Sequence, residues 1–395
     1  MNDVFVVAAT RTPVGRANRG LLRHVRPDDL LIAALRALLK QTPTLDPQAV
    51  EDMIVGCAMP EGEQGLNIAR SAALLAGLPI STAGMTVNRF CASGLSAIQI
   101  AADRIRVGEA QVLVAGGVES MSRIPMGGFN PAPNPLIFAS KAHLGLAYGM
   151  GTTAEKVAHQ WNITREEQDQ LAFESHQRAL QAQAQGWFAA EITPLEVTLR
   201  SPQGTTGETL LRAQTMTQDE GPRADTSLAG LARLKPAFHP KGSVTAGNSS
   251  QTSDGAAALI LASAQAVQQF GLTPLARIVG FNTVGVEPEI MGIGPVKAVP
   301  PLLARAGLKT DQLDWIELNE AFAAQVLAVQ KFLAFDPVRL NPLGGAIALG
   351  HPLGASGAIR VTTAVHGLQR TQGRYALVTL CVGMGQGVAG LFERV

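Results

Sequence analysis

A cysteine stands at the point where a predicted strand turns into a helix. Cys91 lies within Val87–Gly94 (VNRFCASG), and Leu95, Ile98 and Ala102 then recur at helical spacing. A thiol at a helix N-terminus meets unpaired backbone N–H groups and the positive end of the helix dipole, which favour the thiolate. The pattern predicts an activated nucleophile. The alternative is a buried cysteine that packs as a small hydrophobic side chain.

A cysteine nucleophile needs a base, and histidine is the usual one. Of the seven histidines, His351 alone lies in a glycine-rich turn that opens a helix, within Gly344–Pro352. A second cysteine, Cys381, follows a predicted strand in another glycine-rich turn, and a thiol can donate and accept protons near neutral pH. Asn319 also follows a strand. We therefore expect these polar groups to lie at the ends of secondary-structure elements.

The overall composition excludes several classes of protein. The 395 residues are enough for two or three domains, and 46% are hydrophobic, so the chain can bury a large core. A net charge of +1 gives no basic field for nucleic acid. Three sparse cysteines indicate a reducing compartment, and no zinc-binding motif is present. Without a secretory signal or an apolar run of roughly 20 residues, a cytoplasmic protein without a membrane span is expected.

Strand and helix patterns alternate over residues 1–120 and again from about 251, which predicts an α/β fold with a buried sheet. The intervening residues 121–250 differ in character. They contain a predicted polar helix over Thr164–Gln185 and an irregular stretch marked by Pro194, Pro202, Pro222 and Pro236. A long insertion of this kind usually builds a binding site, although a spacer or oligomerisation segment is the alternative.

The two α/β portions share a local pattern. Cys91–Gly94 is followed by a helix and the strand Val112–Gly117, and His351–Gly357 is followed by a helix and the strand Leu377–Gly383. This weak internal repeat predicts two similarly folded halves. Ligands bind where strand ends meet in such sheets, so the reactive residues of both halves are expected at one site.

Taken together, these motifs resemble the thiolase family, and most closely its degradative 3-ketoacyl-CoA thiolases. The resemblance extends from Val4–Gly15 to the C-terminus. The matching stretches are Val87–Gly94, Val244–Ser250, Met291–Pro295, Asn319–Ala323, Asn341–Ala346, His351–Gly357 and Cys381–Gly387.

The resemblance implies a fold and a domain organisation. The expected fold is α/β, with two similar α/β/α halves that form a five-layered α-β-α-β-α core and a large loop-domain insertion. Residues 1–120 would form the N-terminal half, completed by 251–270. Residues 121–250 would form the loop and coenzyme A (CoA)-binding insertion, and 271–395 the C-terminal half.

The resemblance also implies catalytic roles. Cys91 would be the acylated nucleophile, and His351 would take its proton. His351 and a water held by Asn319 would stabilise the thioester oxygen of the substrate. Cys381 would act as general acid or base at the alpha carbon. The backbone N–H groups of Cys91 and Gly383 would form a second oxyanion hole, in which each donor typically contributes roughly 3–4 kcal/mol.

Five further residues would contact the substrate. Arg223 would bind a nucleotide phosphate through its planar guanidinium, although a solvated charge is the alternative. Phe238 and Phe322 would pack along pantetheine and the thioester, Ser250 would hydrogen-bond pantetheine, and Met150 would line the acyl pocket. CoA is a substrate in this scheme, and neither a cofactor nor a metal is implied.

Departures from related patterns narrow the prediction. Biosynthetic acetoacetyl-CoA thiolases carry a His-Met pair where this chain has Gly149–Met150, and Gly230 replaces a serine that contacts CoA in some thiolases. Asn341–Leu343 resembles the peroxisomal-type branch. We therefore expect thiolytic cleavage of 3-ketoacyl-CoA to acetyl-CoA and a shortened acyl-CoA, in fatty acid β-oxidation.

Three alternatives remain open at this point. One is acetoacetyl-CoA formation from two acetyl-CoA, one is decarboxylating condensation, which the presence of Cys381 disfavours, and one is an inactive lipid-binding or scaffold protein. Relatives of this kind form homodimers or homotetramers, and some work with a partner enzyme of β-oxidation.

Overall fold

The computed structural model describes residues 2–203 and 208–395. The strands, numbered in chain order, are β1 (Val4–Arg11), β2 (Gly15–Arg16), β3 (Asp52–Gly56), β4 (Ala83–Val87), β5 (Val112–Ser120), β6 (Leu195–Gln203), β7 (Glu208–Met216), β8 (Ser253–Ser263), β9 (Ala276–Gly285), β10 (Trp315–Leu318), β11 (Tyr375–Val382) and β12 (Gln386–Arg394). The α-helices are α1 (Pro27–Gln41), α2 (Ile68–Ala76), α3 (Ser93–Arg106), α4 (Leu136–Ala139), α5 (Met150–Gln160), α6 (Arg165–Ala184), α7 (Leu228–Ala232), α8 (Ala264–Phe270), α9 (Gly294–Ala306), α10 (Ala323–Leu333), α11 (Ala346–Leu349) and α12 (Leu353–Thr371).

The main strands follow the order β10-β11-β12-β9-β1-β8-β5-β3-β4, and β2 adds to β8. The two halves of this order have the same pattern. In the first, β4, β3 and β5 are parallel and β8 runs antiparallel to both β5 and β1. In the second, β10 and β11 are parallel and β12 runs antiparallel to both β11 and β9. Only two residue pairs, formed by Phe5 and Val6, join β1 to β9.

Helices cover both faces of each half. The largest apolar cluster contains α3 and α12 together with inward-facing residues of both halves, such as Leu259 of β8 and Val378 of β11. A second cluster packs α1 and α2 on the outer face of the first half, and a third packs α9 and α10 on the second. These layers confirm the expected five-layered α-β-α-β-α arrangement. They also explain why every residue of β5 and β8 is buried, as expected for strands covered on both faces.

The insertion contains more regular structure than the sequence indicates. The predicted polar helix is α6, whose N-cap Thr164 forms a capping box with Glu167. The stretch predicted to be irregular contains the antiparallel hairpin β6–β7, so that prediction is wrong for those strands. Pro202 lies within β6, which is possible because both strands of a two-stranded sheet are edge strands. The proposed domain boundaries at 121, 251 and 271 stay predictions.

Two findings concern the described ranges as a whole. No helix within residues 2–203 or 208–395 combines the length and the apolar character that crossing a membrane requires. The same ranges contain no group of three or more histidine, cysteine or acidic side chains placed to hold a metal ion.

Candidate active site

Cys91 lies on a strained turn between β4 and α3. Phe90 has a φ of +43°, an uncommon conformation for a residue with a side chain. The Phe90 N–H donates to Asn88 Oδ1 at 2.8 Å, and Ser93 Oγ donates to the Phe90 carbonyl at 2.7 Å. Ser93 Oγ also accepts the Arg89 N–H at 2.8 Å. These side-chain bonds hold a backbone strain that is common at functional sites, and they leave Cys91 half-buried at the start of the helix.

His351 lies directly before α12 and its ring is fixed at both nitrogens. Nδ1 is 2.6 Å from Ser356 Oγ, and Nε2 is 3.4 Å from Asn319 Nδ2. An amide nitrogen can only donate, so Nε2 is the acceptor and the ring proton belongs on Nδ1. This tautomer leaves an unprotonated Nε2, which is the form that a general base requires.

The starts of α3 and α12 approach each other at backbone distance. A Cβ atom on Gly357 would lie 2.4 Å from the Leu95 nitrogen, and one on Gly94 would lie 2.8 Å from the Ala358 nitrogen. Any larger residue would push the helices apart. The two glycines therefore allow the turn with Cys91 and the turn with His351 to reach one cavity.

That cavity has a volume of about 390 Å³ and is lined by residues of both halves and of the insertion. Cys91, His351 and Cys381 lie in its wall, as the sequence predicts. The predicted substrate residues in the same wall are Met150, Phe238, Ser250 and Phe322. Three further methionines that were not predicted as site residues, Met121, Met126 and Met291, line the same cavity. Met291 begins one of the motif stretches, which is the single signal that could have indicated it.

Burial sets the charge state of the reactive groups. It raises the pKa of Cys91 to about 12, against the opposing effect of the backbone N–H groups of Gly383 and of Cys91 itself. The expectation that the helix N-terminus would favour a thiolate is therefore not met, because desolvation outweighs it. Burial, and next the neighbouring charge of Cys91, raise the pKa of Cys381. Burial and the charge of Arg360 lower the pKa of His351 to about 3.

Asn319 and Gly383 lie beside the wall of the cavity. Asn319 is buried behind His351, and its Oδ1 has no hydrogen-bond partner among the described residues. The backbone N–H of Gly383 faces the Cys91 sulfur. A Cβ atom added to Gly383 would lie 3.6 Å from Met150 Sδ. An unsatisfied amide oxygen thus lies next to His351, and a pair of backbone donors lies next to Cys91.

Arg223 lies in a separate cavity of about 310 Å³ between α6, α7 and the loop before β8. Its N–H donates to His176 Nδ1 at 3.2 Å. Burial, and then the charges of Arg223 and Arg16, lower the pKa of His176 to about 4. Gln251 lines both this cavity and the one that holds Cys91, so the two adjoin. His176 is buried, and no motif in the sequence indicates its place beside Arg223.

Comparison with known proteins agrees with this geometry. Residues 4–265 match the profile of the thiolase N-terminal domain, and residues 272–394 match that of the thiolase C-terminal domain. The chain is 48% identical over 411 residues to a beta-ketoadipyl-CoA thiolase of Acinetobacter baylyi and 45% identical over 393 residues to a 3-ketoacyl-CoA thiolase of Bacillus subtilis, with full coverage of all chains.

A solved structure is similar as well. The crystal structure of human mitochondrial 3-ketoacyl-CoA thiolase superposes with a TM-score of 0.89 at 40% identity, covering 100% of this chain and 99% of that one. The full-length sequence matches and the shared architecture lead to the same conclusion: this chain belongs to the thiolase family.

Proposed function

We propose that this protein cleaves 3-ketoacyl-CoA with free CoA, giving acetyl-CoA and an acyl-CoA shortened by two carbons. The observation that carries the proposal is the convergence of Cys91, His351 and Cys381 on one cavity. Cleavage of this carbon–carbon bond needs a nucleophile for the ketone, a base for the nucleophile and an acid for the departing carbon. Three such groups in one cavity meet that requirement.

In the first half-reaction, the Cys91 thiol gives its proton to His351 Nε2 while the sulfur attacks C3 of the substrate. The bond between C2 and C3 breaks, and its electron pair forms the enolate of acetyl-CoA. Cys381 donates a proton to C2. His351, together with a water held by the unsatisfied Oδ1 of Asn319, stabilises the enolate oxygen. Acetyl-CoA leaves, and the shortened acyl group remains on Cys91 as a thioester.

In the second half-reaction, the Cys381 thiolate takes the proton of an incoming CoA thiol. The CoA sulfur attacks the acyl carbonyl, whose oxygen becomes negative. The backbone N–H groups of Cys91 and Gly383, which already face the sulfur, stabilise that oxygen. The tetrahedral intermediate then expels the Cys91 sulfur, which recovers its proton from His351.

The adjoining cavities suggest a path for CoA. Arg223 would meet a phosphate at the outer cavity, and pantetheine would pass Gln251 towards Ser250 and Phe238. Phe238 and Phe322 form an edge-to-face pair with ring centroids 6.0 Å apart, which would hold the thioester end against Cys91.

The names of the relatives indicate different acyl groups on the substrate. Some are named for 3-ketoacyl-CoA and others for beta-ketoadipyl-CoA, whose tail ends in a carboxylate. Methionines, phenylalanines and Leu353 dominate the wall around Cys91. A carboxylate against this apolar wall would lose its hydration without a paired cation among the described wall residues. An uncharged tail is therefore the primary proposal, and the carboxylated tail is the second candidate.

A matched pair of substrates tests both points. The purified chain is given CoA with either 3-ketohexanoyl-CoA or 3-oxoadipyl-CoA, which have six-carbon acyl chains and differ in the terminal carboxylate. We expect butanoyl-CoA and acetyl-CoA from the first, with kcat/KM higher by at least about tenfold. If the chain cleaves neither substrate, the proposed function is refuted. A preference for 3-oxoadipyl-CoA would refute the uncharged tail alone and support the second candidate.

The cellular role is proposed on similarity. An uncharged acyl tail favours a role in fatty acid β-oxidation, and the similarity to bacterial relatives supports a cytoplasmic location. Acetoacetyl-CoA formation uses the same residues in reverse and is the alternative direction. The rate of acetyl-CoA condensation, measured against the cleavage rates above, distinguishes the two directions.

A further inference from the structure

A buried carboxylate lies next to the active site with no role in the mechanism above. Glu119 is 1% exposed at the end of β5. One oxygen accepts the backbone N–H groups of Ala58 at 2.7 Å and Gly354 at 2.9 Å. The other accepts the Met59 N–H at 3.3 Å and Gln64 Nε2 at 2.7 Å.

These four donors come from both halves of the molecule. Ala58 and Met59 follow β3, and Gln64 lies in the next turn, so all three belong to the first half. Gly354 belongs to the second half. It lies in the first turn of α12, three residues after His351. The bond to Gly354 therefore ties the helix that follows the imidazole to the half that carries Cys91. It adds to the bonds that the His351 N–H donates to the Gln251 carbonyl at 3.0 Å and to Ser253 Oγ at 3.2 Å.

The donors require the ionised form of Glu119. Each oxygen accepts two N–H groups, and a backbone N–H cannot act as an acceptor, so a protonated oxygen would face donors. Burial raises the pKa of Glu119, but these hydrogen bonds oppose that effect. A carboxylate at the first turn of α12 also interacts favourably with the positive end of the helix dipole.

We propose that Glu119 is the positioning residue of this active site, holding the start of α12 so that His351 faces both Asn319 and Cys91. The proposal rests on the proposed function. Its geometric basis is the bond to Gly354, because this bond, the Nδ1 contact with Ser356 and the Nε2 contact with Asn319 all constrain the same turn.

The charge of Glu119 provides a second readout. The titratable and charged groups around Cys91 are Arg89 on its own turn, Cys381 near the end of β11, His351 before α12, and Glu119. Among these groups Glu119 is the carboxylate, and its negative charge contributes to the raised pKa of Cys91. Removing this charge should lower that pKa and accelerate alkylation of the sulfur at a fixed pH.

Three variants separate reach, charge and packing. Glu119→Gln keeps the length and removes the charge, whereas Glu119→Asp keeps the charge and shortens the reach to Gly354. Cys57→Ala is the matched control. Cys57 is buried beside Glu119, its sulfur lies 3.8 Å from one Glu119 oxygen and accepts Gln64 Nε2 at 3.4 Å, and it forms no hydrogen bond to α12. Each variant is assayed with 3-ketohexanoyl-CoA and CoA, and iodoacetamide labelling of the Cys91 peptide is followed by mass spectrometry between pH 7 and 9.

We expect kcat to fall by roughly 100-fold in Glu119→Gln, with KM changed by less than about threefold, because misplacing the base impairs the chemical step more than binding. Alkylation of Cys91 should be faster than in the wild type. In Glu119→Asp, kcat should fall while alkylation stays at the wild-type rate. Cys57→Ala should match the wild type in both.

Several results would overturn the inference. A wild-type kcat in folded Glu119→Asp would show that catalysis does not need the bond between Glu119 and Gly354. This test remains valid even if Glu119→Gln fails to fold. Equal loss of kcat in all three variants with no change in alkylation would indicate packing alone. A wild-type chain that cleaves no 3-ketoacyl-CoA would instead refute the proposed function.

Discussion

Cys91, His351 and Cys381 share one cavity wall in neutral forms, because burial raises the pKa of both thiols and lowers that of the imidazole. A resting ion pair between thiolate and imidazolium is therefore disfavoured. The proton of Cys91 has to move to His351 as the sulfur attacks. The substrate contributes to this step, because the developing oxyanion is stabilised by donors that the resting enzyme already holds in place.

The lowered pKa of His351 predicts the acid side of the pH profile. A base with a pKa of about 3 stays unprotonated at pH 5, whereas an ordinary histidine would lose activity below 6.5. We expect kcat/KM for 3-ketohexanoyl-CoA to be nearly constant from pH 7 to pH 5.5. A tenfold loss per pH unit below 6.5, with unchanged circular dichroism, would contradict the assignment.

The role of Cys381 predicts a split between the two kinds of chemistry. Cys381→Ala should still accept an acetyl group from acetyl-CoA on Cys91, although more slowly. This step does not form or break a carbon–carbon bond, and the CoA sulfur can leave as a thiolate without the proton that Cys381 would supply. The rate of 3-ketohexanoyl-CoA cleavage should fall by at least about 100-fold, because C2 of the departing enolate loses its proton donor. Intact-mass spectrometry measures the acetylation of Cys91, and steady-state kinetics measure the cleavage of 3-ketohexanoyl-CoA. Full turnover in this variant would remove the assigned role, and Cys57→Ala is the control.

At the scale of elements, the close contact between α3 and α12 brings the turns with Cys91 and His351 to one cavity. Gly357→Ala would place a methyl group 2.4 Å from the Leu95 nitrogen, which requires the helices to separate. We expect a loss of about 1–3 kcal/mol in the free energy of unfolding, measured in urea, and a large loss of activity.

Gly285→Ala is the control for this substitution. Gly285 lies at the end of β9, where an added Cβ meets nothing within 4 Å. It should retain both stability and activity. Wild-type stability in Gly357→Ala would show that the crossing tolerates a larger separation than the structure implies.

The sequence predicts elements well where their pattern is local. The sequence predicts a helix over Ser93–Arg106 and a strand over Trp315–Leu318. The structure has both with these bounds, because a regular apolar period and flanking turns define them. The hairpin β6–β7 was missed because prolines normally break strands, and only its two-stranded, all-edge setting accommodates Pro202. The sequence predicts a helix only over Pro300–Ala306, because a proline normally marks a helix start, whereas α9 begins six residues earlier at Gly294 and holds Pro300 and Pro301 in its interior.

The same limit applies to the active site. Cys91, His351, Asn319 and Cys381 stand in motifs and could be predicted one by one. Their convergence depends on the contact between the halves, for which the internal repeat gave the only hint. Met121, Met126 and Glu119 lie outside the motifs quoted above, and their positions follow from tertiary packing that no local spacing encodes.

At the scale of the whole molecule, the first half ends in an open sheet edge. Strand β4 pairs with β3 alone among the described strands, and apolar residues near it are exposed, with Leu66 fully exposed and Ile80 85% exposed. A free strand edge is a template for pairing with a second chain, and twofold dimers are the commonest oligomers. These observations support the homo-oligomer that the family resemblance implies, and we propose that a second copy of this chain covers β4.

This arrangement predicts the mass in solution. Sedimentation should give at least twice the 41.3 kDa of one chain at micromolar concentration. Leu66→Asp with Ile80→Asp should weaken the assembly, and Val338→Asp, which is 79% exposed on the second half, should not. A wild-type species of 41.3 kDa would contradict the prediction.

Intact-mass spectrometry after incubation with acetyl-CoA tests the central claim most directly, because it detects the bond between substrate and sulfur. We predict one acetyl group per wild-type chain, none on Cys91→Ala, and retention of the group in Cys381→Ala. An acetyl group that persists in Cys91→Ala would contradict the account, since the nucleophile would then lie elsewhere.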